Sequence, residues 1–386
     1  MSKIKIGIIG IGNMGTSHSK NIMAGKCPEL ELVAVADLNP DRLAWAEENL
    51  PGVARFATAE EMLDSGLLDA CLVAVPHYDH PRFAMECFKR NIHVMVEKPA
   101  GVYTKQVREM NEAAAKSNVV FAMMFNQRTN PMYIKMREII KSGELGAIRR
   151  TNWVITKWFR SQCYYDSGAW RATWGGEGGG VLLNQCPHNL DLWQWICGMP
   201  ETVDVKMHFG KWHDIEVEDD VTAYVEYPNG ATGLFITSTG DCPGSNRFEI
   251  TCEKGRLISD TKTKTLTITR LDESLNGFYK NDKGAFGAPA DTDEVIHYDN
   301  SGDQHVGVLN AFADKILGKG ELLACGEEGI NGLTLSNAMH LSAFTGKPVT
   351  LPLDEDLYYE ELMKRVKTSK KKNEVKTEVA DTSSTY

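Results

Sequence analysis

The chain has 386 residues, 42% hydrophobic and 24% charged, the proportions of a globular protein with room for two domains. Its net charge of −10 argues against a broad nucleic-acid surface, because phosphate binding needs basic patches. Nine cysteines with no CxxC pair fit reduced thiols better than a disulfide framework.

The N-terminus, MSKIKIGIIGIGNMG, shows no signal-peptide cleavage pattern, and no apolar run approaches the ~20 residues that span a bilayer. A cytoplasmic protein is expected. Short apolar runs rich in β-branched residues come first, at Ile4–Ile9, Leu32–Ala36, Ala70–Val75, Val94–Val96 and Val119–Met124. Such runs suit parallel strands buried on both faces. Helical patterns separate them at about Met14–Ala24, Pro40–Asn49, Pro81–Lys89 and Thr104–Ser117. Parallel strands need crossovers, so the alternation predicts a doubly wound α/β domain over residues 1–128. Asn126-Gln127-Arg128-Thr129-Asn130-Pro131 breaks the pattern.

Gly10-Ile11-Gly12-Asn13-Met14-Gly15 follows the first strand and opens the first helix. In such a GxGxxG turn the first glycine allows the bend, the second admits a pyrophosphate, and the third packs helix on strand. Amides and the dipole at the helix start hold the phosphates. Asp37 closes the next strand, where a carboxylate accepts from ribose hydroxyls and repels a 2′-phosphate. Leu38 follows it with no adjacent Arg or Lys, which favours NAD over NADP.

From Ile148 to about Tyr298 the pattern changes to alternating strands: Val203–Phe209, Val221–Tyr227, Thr232–Thr237, Arg247–Cys252 and Leu266–Thr269. Pro228-Asn229-Gly230 is a hairpin signal, and an antiparallel sheet follows from it. Helices are predicted at about Gln304–Leu317 and Glu327–Phe344, within a second domain over residues 129–353. The tail over 367–386, with Lys370-Lys371-Lys372, is polar enough to predict disorder with solvated lysines.

Three stretches carry chemistry. Glu97-Lys98-Pro99 places Lys98 at the carboxyl end of a parallel strand, next to the switch point where such sheets bind ligands. An amine beside an oxidised nicotinamide is harder to protonate, and Pro99 suits a cis bond. In GGGVLLNQCPHNLD, Gly178–Asp191, His188 follows Pro187 at a helix start, where the positive field disfavours imidazolium. Asp191 shares its face and is expected to orient the ring or contact substrate hydroxyls. Neither Cys186 beside His188 nor His77 with His80 has a further ligand cluster, so no metal is expected. Between Lys157 and Trp174, Trp158, Phe159, Tyr164, Tyr165, Trp170 and Trp174 alternate with arginines. Aromatic faces with interspersed donors suit carbohydrate; a lid or packing element is the other outcome.

Together these motifs resemble the Gfo/Idh/MocA oxidoreductase family over about residues 1–350. His93-Val94-Met95-Val96-Glu97-Lys98-Pro99 is similar to the family's HVxxEKP, and Val75-Pro76-His77, with His80 behind, to its cofactor-flanking loop. Asn126-Gln127-Arg128 resembles the turn that ends its Rossmann half. The WRxTW ending and GEGGGVLLNQCPH look nearest to bacterial members that oxidise glycosides at the sugar C3 hydroxyl.

The resemblance implies an α/β fold: a Rossmann domain, then an α+β domain with an open, mainly antiparallel sheet. It implies reversible NAD-dependent oxidation of a secondary hydroxyl on a sugar, glycoside or cyclitol. An inositol dehydrogenase and a non-catalytic NAD-binding sugar sensor are the alternatives. Lys98 and His188 map onto the family's catalytic pair. The family often has an aspartate four residues before the histidine; here it is Asn184, and an amide cannot accept a proton at neutral pH. Substrate contacts are expected from Asn184, Asp191, Trp158, Arg160, Tyr165 and Trp174. Cofactor contacts are expected from Gly10, Gly12, Asn13, Met14, Asp37, Arg42, Pro76, His77, Glu97, Lys98, Asn126, Arg128, Trp170 and Arg171. The partners expected are a small-molecule sugar, glycoside or cyclitol and further copies of the chain (a dimer or tetramer), with neither nucleic acid nor membrane.

Overall fold

A computed structural model describes residues 3–280 and 285–370. The first sheet and its helices run β1 (Ile4–Ile9), α1 (Asn13–Met23), β2 (Leu30–Ala36), α2 (Pro40–Asn49), β3 (Ala54–Phe56), α3 (Ala59–Asp64), β4 (Ala70–Val73), α4 (His80–Lys89), β5 (His93–Val96), α5 (Thr104–Ala114) and β6 (Phe121–Met123). All strands are parallel, in the order β3-β2-β1-β4-β5-β6. The order reverses between β1 and β4, which opens a crevice at their carboxyl ends. The expected strands and helices are present. The short β3 and α3 were not expected, because Ala54-Arg55-Phe56 has no apolar run and forms a strand only by pairing with β2. Thr58 caps α3 by accepting from the Glu61 amide.

The rest comprises α6 (Pro131–Ser142), β7 (Ile148–Ile155), α7 (Gln162–Asp166), α8 (Pro187–Cys197), β8 (Thr202–Phe209), β9 (Glu218–Glu226), β10 (Thr232–Ser238), β11 (Asn246–Cys252), β12 (Gly255–Asp260), β13 (Thr265–Leu271), α9 (Leu275–Phe278), β14 (Asp291–His297), α10 (Gln304–Ile316), α11 (Gly329–Thr345), β15 (Val349–Thr350) and α12 (Glu355–Thr368). The second sheet has the order β14-β13-β12-β11-β7-β10-β9-β8-β15. It is antiparallel except where β10 runs parallel to β7.

Period-two alternation decides the faces of this sheet. Ala223, Phe235, Trp153 and Phe248 form one buried cross-strand row, on the side where α8 and α11 pack. Trp153 stacks on Phe248 with ring centroids 4.2 Å apart. Each such side chain contributes about 1.5–3 kcal/mol by leaving water. The adjacent row, Tyr224, Leu234, Asn152, Glu249, Ile258, Thr267 and Val295, lies on the opposite face, where Tyr224, Leu234 and Val295 are exposed.

Two expectations need correction. Residues 129–353 do not all belong to the second sheet, because α10 returns to the first. Val308, Leu309, Phe312 and Ala313 join the core of Ile4, Ile6, Ile8, Val35 and Met95, so an apolar helix face late in the chain covers the early strands. Nor does a disordered tail begin at Lys367. α12 runs to Thr368, and beyond it the Ser369 hydroxyl and the Lys370 amide each donate to Glu216 at 2.6 Å. Residues 371–386 lie outside the described residues. Among the described residues no helix is long and apolar enough to cross a membrane.

Candidate active site

The glycine loop sits at the switch point, between β1 and α1. A Cβ at Gly15 would lie 1.9 Å from the Gly10 carbonyl oxygen, and Gly10 itself has φ +85°. These two glycines are required by the turn. At Gly12 nothing lies within 4 Å of where a Cβ would project, so the open space is at the α1 N-terminus, where Asn13 and Met14 begin the helix. Free helix-start amides facing a cleared space fit a pyrophosphate. Asp37 braces the loop from β2: its carboxylate accepts from the Ile11 amide at 2.8 Å and the Asn39 amide at 2.9 Å. Arg42 locks the same loop by donating to the Ile11 carbonyl (2.8 Å) and the Thr16 hydroxyl (2.7 Å) while stacking over Trp45.

The β5 end supplies the lysine. The Lys98–Pro99 bond is cis, and His80 holds the turn with its two ring nitrogens 2.6 Å from the Pro99 carbonyl and 2.7 Å from that of Val75. Pro76 leads into a short turn at His77–Asp79, and the His77 ring meets Trp170 edge-on at 5.5 Å. Glu97 is buried; one oxygen lies 2.7 Å from His18 Nε2 and the other accepts from the Lys98 amide. Burial pushes the Glu97 carboxyl up, but the His18 bond and charge, with His305 and Lys98, outweigh it and hold it down to about 2. The Lys98 ammonium donates to the Asn184 carbonyl at 2.8 Å. Burial lowers its pKa, opposed by Glu97 and Glu177 and assisted by Arg171 and Arg160.

His188 lies in the first turn of α8, buried, with Phe125 edge-on at 6.3 Å. Its pKa is held well below the usual imidazole range, by burial first and then by the Lys98 charge. A neutral ring was expected from the helix field, but desolvation and the neighbouring ammonium are the leading causes. Tyr164 was not among the expected site residues, yet its hydroxyl donates to Asn184 Oδ1 (3.3 Å) and accepts from Arg171 (2.9 Å) and Gln185 (3.2 Å). Arg171 stacks over Tyr164 and Trp170, and Arg160 over Trp158 and Tyr164. Asn126 is buried and donates to Gln304, with no partner found for its Oδ1 among the described residues.

Four expected contacts are engaged elsewhere. Asp191 neither orients His188 nor opens to a substrate, because both of its oxygens accept from Arg128, at 2.7 and 2.9 Å. Arg128 also donates to Glu328 and the Leu323 carbonyl, so a buried structural fork replaces the expected cofactor contact. Tyr165 turns away to bond Thr239 at 2.8 Å, and buried Trp174 packs on Phe209, His340 and Phe344. The resemblance, and for Asp191 the helix spacing, placed these side chains near the site but could not say which way each pointed. Cys186 lies against Thr237 with its thiol pushed up to about 12 by burial, unlike a nucleophile.

Sequence reasoning missed Glu177, His18 and His305 as well as Tyr164. The one available signal for Glu177 was a carboxylate directly before three glycines; His18 and His305 gave none, because His305 meets His18 only when α10 folds back.

A doubly wound sheet with GxGxxG at its switch point and a lysine at the end of β5 defines a dinucleotide-dependent oxidoreductase. The chain belongs to the Gfo/Idh/MocA oxidoreductase family: the model of its NAD-binding Rossmann fold matches residues 4–125 and that of its C-terminal domain residues 133–258. It is 26% identical over 281 residues to the myo-inositol 2-dehydrogenase of Thermotoga maritima, covering 70% of this chain and 79% of the relative. It is 26% identical over 383 residues to the D-glucoside 3-dehydrogenase of Escherichia coli, covering 91% and 98%. The WlbA dehydrogenase of Bordetella pertussis, solved with NADH and UDP-GlcNAcA, superposes with a TM-score of 0.77 at 26% identity, covering 92% of this chain and 99% of that one.

Proposed function

We propose that this protein oxidises a secondary hydroxyl of a sugar, glycoside or cyclitol with NAD, Lys98 and His188 handling the hydroxyl proton. The observation that carries this is the position of Lys98: it leaves the carboxyl end of β5, in the sheet whose β1 end carries the glycine loop, reaches the Asn184 carbonyl at 2.8 Å, and its charge bears on His188. The amides at Gly12, Asn13 and Met14 hold the pyrophosphate, Asp37 the ribose, and Pro76, His77, Trp170 and Arg171 flank the cofactor. When bound, NAD supplies the hydride acceptor. Neutral His188 takes the hydroxyl proton, while the Lys98 ammonium stabilises the developing charge on the substrate oxygen. Asn184, Trp158 and Arg160, joined by Tyr164, offer the ring faces and donors that sugar C–H faces and hydroxyls need.

Likeness to a D-glucoside 3-dehydrogenase over nearly its whole length supports a glycoside substrate and attack at C3. Nine free cysteines suit a cytoplasmic enzyme, and the exposed sheet row of Tyr224, Leu234 and Val295 suits a second copy of the chain. A spectrophotometric screen of glucosides, free sugars and cyclitols with NAD and NADP, run beside Lys98→Ala and His188→Ala, tests the assignment. NAD reduction is expected with at least one class, with kcat lowered ~10²- to 10⁴-fold in each variant. Wild-type rates in both variants would overturn the site. Oxidation of cyclitols with glucosides untouched would overturn the glycoside assignment.

A further inference from the structure

Glu177 is a carboxylate with only 2% of its surface exposed, on the loop between Arg171 and Asn184. Its side chain acts as an acceptor only: the Ala172 amide donates to Oε2 at 2.5 Å, and Asn184 Nδ2 donates to Oε1. Both contacts are donated to the carboxyl oxygens, an arrangement that favours the ionised form. Burial pushes its pKa up, against which the Arg171 charge and the two bonds pull down. Its bond to Nδ2 also fixes the Asn184 amide, because the oxygen must then face away, toward the Tyr164 hydroxyl. The Glu177 charge reaches Lys98 as well and favours the ammonium.

Asn184 is the residue that links the two: its carbonyl accepts from the Lys98 ammonium and its side-chain amide donates to Glu177. We infer that Glu177 supplies a negative charge to the site from the loop before α8, holding Lys98 as the ammonium and turning Asn184 so that its oxygen and the Tyr164 hydroxyl orient the substrate. Glu177 is thus a positioning residue. It acts through Asn184 and Lys98 and need not touch substrate. The inference rests on the function proposed above.

The test is a carboxylate swap. In Glu177→Gln the new amide faces the Asn184 amide nitrogen, so Asn184 flips and offers Tyr164 a donor in place of an acceptor. In Glu177→Gln/Asn184→Asp the introduced amide donates to the introduced carboxylate, whose other oxygen again accepts from Tyr164, and the charge returns. The single variant is expected to lose kcat about tenfold at pH 7, with the alkaline limb of its pH profile moved to lower pH. The double variant is expected to recover both. A double variant no better than the single one, with an unmoved limb in each, would overturn the inference and leave Glu177 as a loop tether to Ala172. Lys98 titration, followed by NMR of methyl-¹³C-labelled lysines and assigned with Lys98→Arg, reads the same charge without turnover. If no substrate is oxidised by wild type but the Lys98 titration still moves to lower pH in Glu177→Gln, the proposed activity fails and the electrostatic role stands. If turnover is normal and that titration does not move, the inference alone fails.

Discussion

Two buried carboxylates bear on Lys98 from opposite halves of the site, and they are held in opposite ways. Glu97, at the β5 end, faces a histidine partner and the Lys98 amide, and its pKa is depressed. Glu177, on the loop before α8, has two neutral donors and no bonded cation among the described residues, and its pKa is raised. The first stabilises its ionised form within the folded protein; the second keeps a charge that burial disfavours. A charge kept at a cost to the fold belongs to function more readily than to stability.

The two halves are joined by Arg128, from the turn that ends the first domain, and Asp191 on α8, both almost wholly buried. Arg128→Met should cost about 3–5 kcal/mol in urea unfolding, because it leaves Asp191 charged and without its counter-ion. Arg128→Met with Asp191→Leu should recover most of that loss, since both desolvated charges then disappear. An Arg128→Met protein as stable as wild type would mean that the halves are joined by apolar packing alone.

What could be read from the chain follows the same division. The cofactor half was legible because its parts are contiguous: one strand end, six residues of GxGxxG, and an acid closing the next strand. EKP was equally legible, and so was the antiparallel sheet, because Pro228-Asn229-Gly230 and alternating residues state their geometry locally. The substrate half was legible only as a list. Asp191 shares a helix face with His188, yet its partner is Arg128, 63 residues earlier, and no periodicity reports a contact of that span. Tyr164 and Tyr165 are neighbours in sequence, and only the fold shows that the first meets Asn184 while the second turns to Thr239. The return of α10 to the first sheet was hidden for the same reason.

The Glu97 half of the comparison makes a prediction about pH. Its carboxyl lies at 4.5 by default and about 2 in the folded protein, so ionisation stabilises the fold by about 3 kcal/mol. The sign is that of a depressed acid: the contribution is present above pH 4.5 and lost as pH falls through about 2. Glu97→Gln should therefore be less stable than wild type by about 3 kcal/mol at pH 7, with the gap narrowing as pH falls toward 3. A gap that stayed constant with pH would assign the loss to shape and hydrogen bonding rather than to charge.

Glu177 should show the reverse sign, and with the smallest change. A carboxyl raised by burial contributes stability below its unfolded value and loses it as pH rises through the folded one. Once ionised, the group is then a burden on the fold. Glu177→Gln removes the charge, and a flipped Asn184 can still pair with the new amide. Unfolding at pH 7 should find this variant no less stable than wild type, in contrast to Glu97→Gln and in spite of its slower turnover. A loss of more than about 1 kcal/mol would show that the bonds to Ala172 and Asn184 outweigh the desolvation of the charge. Glu177 would then resemble Glu97, and the contrast between the two halves would rest on hydrogen-bond geometry alone.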